Sequence, residues 1–153
     1  ASQYPRRVSV QIRIKGIPIV APLTTLIKNI SPTVLLRDAG DTLRPAAAVN
    51  EDGSVNSEAT PAKQGEAITL YLTGYGQTRM SSSIVGQEAE VRPLVYFSVW
   101  ASETLVSSPA DRQHSVWRTV VRVPRMTNAS SGATPIVVLL DGVQSNTATI
   151  WLR

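Results

Sequence analysis

Residues 8 to 15, Val-Ser-Val-Gln-Ile-Arg-Ile-Lys, alternate apolar and polar side chains without an error, and Gly16 ends the run. That period puts alternate residues on opposite faces of a strand, one offered for burial and the other for water. Further runs rich in Val, Ile, Thr, Leu and aromatics cover 17–20, 24–30, 33–37, 67–73, 94–100, 103–107, 115–123, 135–140 and 147–152, divided by Pro, Gly, Asn and Ser. No stretch has convincing helical periodicity. Many short strands with turn signals between them predict an all-β chain, an immunoglobulin-like antiparallel β-sandwich with an extra N-terminal β-hairpin arm. Segments 50–63, 77–87 and 127–134 read as loops; the first carries an Asp52-Gly53 turn and, at Asn56, a candidate Asx turn.

With 153 residues, 42% of them hydrophobic, the chain can bury the core of one full domain. No apolar run approaches the roughly 18 residues of a membrane span, so membrane insertion is not expected. The chain has no Cys, which removes disulfides, thiolate metal sites and thiol catalysis together. Its one His, His114, could be drawn into a triad with Asp111 and a serine, yet no Gly-x-Ser-x-Gly elbow exists and His114 follows the polar Arg112 and Gln113. A calcium loop with Gly53 as its glycine would need an acidic first ligand at Ala48. Gly74 and Gly76 flank Tyr75 where a strand ends, and no helix follows to make a phosphate cradle. The expectation is therefore no catalytic group, no metal and no cofactor.

Net charge is +4, and it is unevenly placed. Residues 1–44 hold seven basic and two acidic side chains, against eight and nine in the remainder. The basic residues near the N-terminus alternate with Val8, Val10, Ile12 and Ile14, which suits the wet face of a strand better than a phosphate-binding cluster; nucleic acid is not expected as a partner.

An internal repeat adds the most. Placing Gly16 over Gly142, an offset of 126, aligns Val10, Ile12, Ile14 and Ile17 with Ile136, Val138, Leu140 and Val143. Both copies read as strand, glycine turn, strand. The C-terminal copy closes a domain whose other strands lie just upstream, whereas the N-terminal copy looks like the last hairpin of a sandwich and must dock on something. This divides the chain into an arm at 1–31, with possible donor strands, and a sandwich at 32–153. Within 46–153 the inner face should include Ile68, Leu70, Leu72, Val121, Val123, Val138 and Leu140.

Four stretches carry a family resemblance: Asn50-Glu-Asp-Gly-Ser-Val-Asn-Ser; Pro61-Ala-Lys-Gln-Gly-Glu-Ala-Ile-Thr-Leu-Tyr-Leu-Thr-Gly-Tyr-Gly76; Arg122-Val-Pro124; and Asp141-Gly-Val-Gln-Ser-Asn-Thr-Ala-Thr-Ile150. They resemble a domain abundant at the C-termini of large secreted and surface proteins of acidobacteria, with two successive immunoglobulin-like sandwiches. Residues 32–153 resemble the second sandwich, and 8–30 the closing hairpin of the first. The chain departs from the family at 88–117, in Tyr96-Phe-Ser-Val-Trp100 and Ser115-Val-Trp-Arg118.

An orphan hairpin with an apolar row and unpaired edges recruits another sheet. The expected function is a non-catalytic extracellular structural protein that self-assembles into a homopolymer by strand complementation, as in some pili. Val8, Val10, Ile12, Ile14, Ile17 and Ile19 would form the assembly interface. The alternative is an accessory module that binds surface glycans, with Trp100, Trp117, Trp151, Tyr71, Tyr75 and Tyr96 as candidate stacking groups; their place in strand-like runs favours core or interface packing. Asn29 and Asn128 fit the glycosylation pattern. The N-terminal Ala-Ser-Gln-Tyr-Pro has no apolar leader core, so a cell-surface location presumes a signal peptide removed before Ala1.

Overall fold

The computed structural model describes residues 6–11, 13–15, 17–18, 23–27, 30–76, 80–83, 86–89, 92–111, 115–126 and 131–153. Four short strands come first: β1 (Arg6–Val10), β2 (Arg13–Ile14), β3 (Ile17–Pro18) and β4 (Leu23–Ile27). They are followed by β5 (Thr33–Val34), β6 (Ala48–Asn50), β7 (Ala67–Thr73), β8 (Met80–Ser83), β9 (Gly86–Ala89) and β10 (Leu94–Phe97). The last five are β11 (Trp100–Pro109), β12 (Trp117–Arg122), β13 (Gly132–Leu140), β14 (Val143–Gln144) and β15 (Ala148–Leu152). All of these strands pair antiparallel.

A single strand turns one continuous hydrogen-bonded ladder into two layers. Over Trp100–Glu103, β11 pairs with β10; from Thr104 onward it pairs with β12, and the register shifts between Thr104 and Val106. A bulge at such a point bends the strand and increases its twist, which lets it pass from one sheet to the other. On one side lie β10, β13, β14 and β15; on the other lie β12, β7, β6 and β5. The result is the immunoglobulin-like sandwich expected from the pattern of short strands.

Strict alternation in Ala-Ile-Thr-Leu-Tyr-Leu-Thr places Ile68, Leu70 and Leu72 in the core, each at 0% exposure. Val121, Val123, Val138 and Leu140 join them, together with Val95, Phe97, Ile136 and Ile150. The expected inner face is thus the observed one.

Three local expectations need correction; the first is the loop at 127–134, because β13 already begins at Gly132, which pairs with Leu152. Segment 77–87 was expected as loop, but it contains most of a hairpin, β8 with β9, in which Ser83 pairs with Gly86. Its serines give no alternation of apolar and polar residues, so the strand leaves no periodic signal. The run 94–100 is also not one strand: it reverses between Phe97 and Trp100, with Ser98 at φ 55°. No glycine, proline or asparagine marks that turn, and the Ser98 N–H is instead held by the Pro135 carbonyl at 2.8 Å.

The 126-residue repeat is visible in backbone geometry. Ile14 pairs with Ile17 and Leu140 with Val143, so each hairpin closes through two residues. Lys15 and Asp141, the first of each pair, have φ of 48° and 47°, and Gly142 has 76°. Positive φ at both central positions is the turn that matches strand twist in a tight hairpin, and Gly supplies it at the second position.

A polar cluster lies inside the core. The Tyr75 hydroxyl is 2.7 Å from Ser107 Oγ and 3.0 Å from Thr119 Oγ1, which are 3.1 Å from each other. The Tyr75 ring stacks on Trp117 with centroids 4.4 Å apart. Burial pushes the Tyr75 phenol above its usual range, and the two hydroxyl partners only partly offset this. Replacing Tyr75 by Phe leaves the Ser107–Thr119 bond in place, so the expected cost is only about 1 kcal/mol. A urea midpoint shift with unchanged slope measures it.

Candidate functional site

The candidate assembly arm is a ribbon with its own ladder. Register sets Val8 opposite Thr25 and Val10 opposite Leu23 in the β1–β4 pair, and Ile14 opposite Ile17 at the turn. Among the described residues, the strands of this ribbon pair only with each other and none joins the nine-stranded sheet. At its tip Ile17 is 68% exposed, and Arg13 and Lys15 are exposed beside it. The Arg13 Nε–H donates to Gln11 Oε1 at 2.9 Å. Ile12, Ile19, Asn29, Asn128 and His114 lie outside the described residues.

Along β15, β6 and β5 the sandwich is covered by its own chain. Along β15, the Thr149 carbonyl accepts from Ala46 N–H (2.8 Å) and the Thr149 N–H donates to the Arg44 carbonyl (3.0 Å). Further along, Ala62 N–H donates to the Trp151 carbonyl at 2.9 Å, and Arg153 N–H to the Ala62 carbonyl at 2.9 Å. On the opposite sheet, β6 is covered by residues 54–56: Asn56 N–H donates to the Ala48 carbonyl (3.0 Å), and Asn50 N–H to the Ser54 carbonyl (2.9 Å).

Two asparagine side chains complete this cover. The Asn56 carboxamide accepts from Trp151 N–H (2.8 Å) and donates to the Trp151 carbonyl (2.9 Å), and it also donates to Asn50 Oδ1 (3.0 Å). Asn146 treats β5 in the same way, accepting from Val34 N–H (2.7 Å) and donating to the Val34 carbonyl (3.1 Å). Each amide thus substitutes for one rung of a neighbouring strand and satisfies backbone groups that burial would otherwise leave unpaired. Asn56 was expected as an Asx-turn residue in a loop; it is a buried clip at 1% exposure. Local sequence could not reveal this, because its partner lies 95 residues away.

The other polar candidates are occupied by turns. Asp52 accepts from Ser54 N–H (2.9 Å) and Ser54 Oγ (2.6 Å), and these bonds hold its carboxyl below the usual range. Asp111 accepts from the Ser115 N–H at 2.9 Å and from the Ser115 hydroxyl, organising the loop before β12. Among the described residues, no group of three or more His, Cys, Asp or Glu side chains is placed to hold a metal ion. Of the candidate aromatics, Tyr75, Trp117 and Trp151 are buried, Tyr71 and Tyr96 are half-buried on β7 and β10, and Trp100, at the β10–β11 turn, is 40% exposed. No family model matches this chain, and comparison with curated proteins and with solved structures likewise gives no match.

Proposed function

We propose that this chain is a non-catalytic extracellular structural protein that assembles with copies of itself by strand complementation, building a surface filament. The ribbon carries this assignment: among the described residues its strands pair only with each other, while the sandwich has its own nine-stranded ladder. A two-stranded ribbon is marginal in water by itself, and its open edges pair readily with other strands. The likeness of residues 50–57 and 61–76 to domains of secreted and surface proteins supports an extracellular place. Because ribbon and sandwich are different surfaces, a contact between them joins copies head to tail, and such a contact extends into a fibre when its rotation does not close a ring.

Covered sandwich edges favour a particular form of complementation. Along β15 and β6 the chain's own segments fill the rungs that a donor strand would take, so the ribbon docks by burying its apolar row on a neighbour's sheet, and the complementation is one of faces rather than of hydrogen-bonded edges. Charges in the ribbon test the assignment. The intact chain should sediment as concentration-dependent oligomers, and the double variant Val10→Asp, Ile12→Asp should sediment as a monomer with the melting transition of the sandwich retained. An intact chain that stays monomeric at the highest attainable concentration overturns the assignment.

A further inference from the structure

The two hairpins related by the 126-residue offset differ in a systematic way. At the inward positions of the C-terminal hairpin the two sequences agree: Ile136, Val138 and Leu140 are buried, and the sequence has Val10, Ile12 and Ile14 at the matching positions. Their outward rows do not. Ala133, Pro135, Val137 and Leu139 occupy the positions at which the ribbon has Arg7, Ser9, Gln11 and Arg13. A hairpin of this geometry needs one apolar face, so the second apolar row on β13 answers to something outside the hairpin.

That row continues across the sheet. Leu94 stands opposite Leu139, and Tyr96 opposite Val137, all four half-buried on the outside of the sandwich. On the other side of β10, Ala101 faces Tyr96 and Glu103 faces Leu94. Glu103 is exposed and is the charged residue in these paired rows. The outside of the other sheet is mixed, with Tyr71 and Val120 set among Thr69, Thr73, Arg118 and Arg122 on β7 and β12.

We propose that the outer face of β10 and β13 is the seat for the ribbon of a second copy of this chain; this rests on the self-assembly proposed above and names its receiving surface. With β15, β6 and β5 covered, the ribbon docks on a face of the sandwich, and this face carries an apolar row. The ribbon brings a matching apolar row, Val8, Val10, Ile12 and Ile14, and an exposed Ile17 at its tip. Charge favours the ribbon over a second identical face. Residues 1–31 hold five basic side chains and no acidic one, whereas the rest of the chain holds ten basic and eleven acidic. Two copies of the face would bring one Glu103 toward another, whereas a ribbon without acidic side chains adds no like charge there. Face-to-face packing of two sheets, about 10 Å apart, then buries both rows together.

The internal repeat supplies a fold-safe variant. Val137→Gln with Leu139→Arg gives β13 the two residues that the same hairpin geometry already carries in the ribbon, at Gln11 and Arg13. The full-length face variant and the full-length ribbon variant (Val10→Asp, Ile12→Asp) are each examined alone and then mixed, by native mass spectrometry and sedimentation, with circular dichroism to check folding. Each alone should be monomeric, and the mixture should give a 1:1 heterodimer and nothing larger, since one working face and one working ribbon make one contact. Glu103→Lys, on an exposed side chain, should raise the concentration needed for assembly several-fold, most strongly at low salt. Full assembly by the face variant overturns this seat while leaving self-assembly through the ribbon standing. Dimers of the ribbon variant alone show faces packing on each other and overturn it too, as does a mixture that stays monomeric. A monomeric intact chain removes the self-assembly itself.

Discussion

Gly74→Ala should remove much or all of the stability of the sandwich, whereas Gly142→Ala should leave a folded protein. Both glycines sit at positive φ, 81° and 76°. That conformation alone costs an L-residue about 1–2 kcal/mol. Space separates the two cases. A Cβ on Gly142 meets nothing within 4 Å, but on Gly74 it would lie 1.8 Å from the Ser31 carbonyl oxygen and 2.5 Å from its carbon. Both are backbone atoms, so no side chain can swing away. Relief requires the 31–32 segment to move outward by more than an ångström, and that segment is tied to Gly74 itself: Ser31 N–H donates to the Gly74 carbonyl at 2.8 Å. Moving it also draws Val34 off Leu72, its partner in the β5–β7 ladder. A loss of about 4–5 kcal/mol or more is expected, in the range reserved for backbone clashes and buried defects, against a total stability of roughly 5–15 kcal/mol for a domain. Thermal melts of both variants decide the matter. A cooperative transition for Gly74→Ala within a few degrees of the parent would refute the close approach at Ser31.

What the sequence made legible follows from how far apart the cooperating residues lie. Alternation in 67–73 is local, and it correctly assigned Ile68, Leu70 and Leu72 to the core. The offset of 126 matched two turn positions, Lys15 and Asp141, whose geometry depends on adjacent residues, and their φ of 48° and 47° agree. The β11 crossover had no comparable signal, because a bulge between Thr104 and Val106 depends on which strands lie on either side. The same holds for the asparagine clips, which reach across 95 and 112 residues to backbone groups whose sequence identity is irrelevant. For the candidate site, strand pattern and turn position were readable in the ribbon. The apolar row on β13 became informative only when the fold separated inward from outward positions and set Leu94 and Tyr96 beside Leu139 and Val137.

Asn56→Asp should be the most damaging isosteric change in the chain, and Asn146→Asp distinctly milder, although both asparagines make the same paired bonds to a strand backbone. In each, the amide nitrogen donates to a carbonyl, of Trp151 or of Val34, and a carboxylate oxygen in its place would face that acceptor. At Asn56 the new oxygen would also face Asn50 Oδ1, and the side chain is buried at 1% exposure. Water cannot intervene there, so an uncompensated charge should cost about 3–5 kcal/mol near neutral pH. Asn146 is half-buried, and solvent can take up part of the mismatch. The loss at Asn56→Asp should also depend on pH with a definite sign. A carboxyl held against two acceptors keeps its proton more tightly in the folded protein than in the unfolded chain. Its folded-state contribution is therefore best below the unfolded aspartate range, near pH 3–4, and worsens as pH rises toward 7. Protonated, the group can again donate one bond, to Trp151 or to Asn50. Urea denaturation of the parent and the variant at both pH values measures the difference between them; a gap that does not widen from pH 4 to pH 7 would mean that the Asn56 amide is not the donor to Trp151.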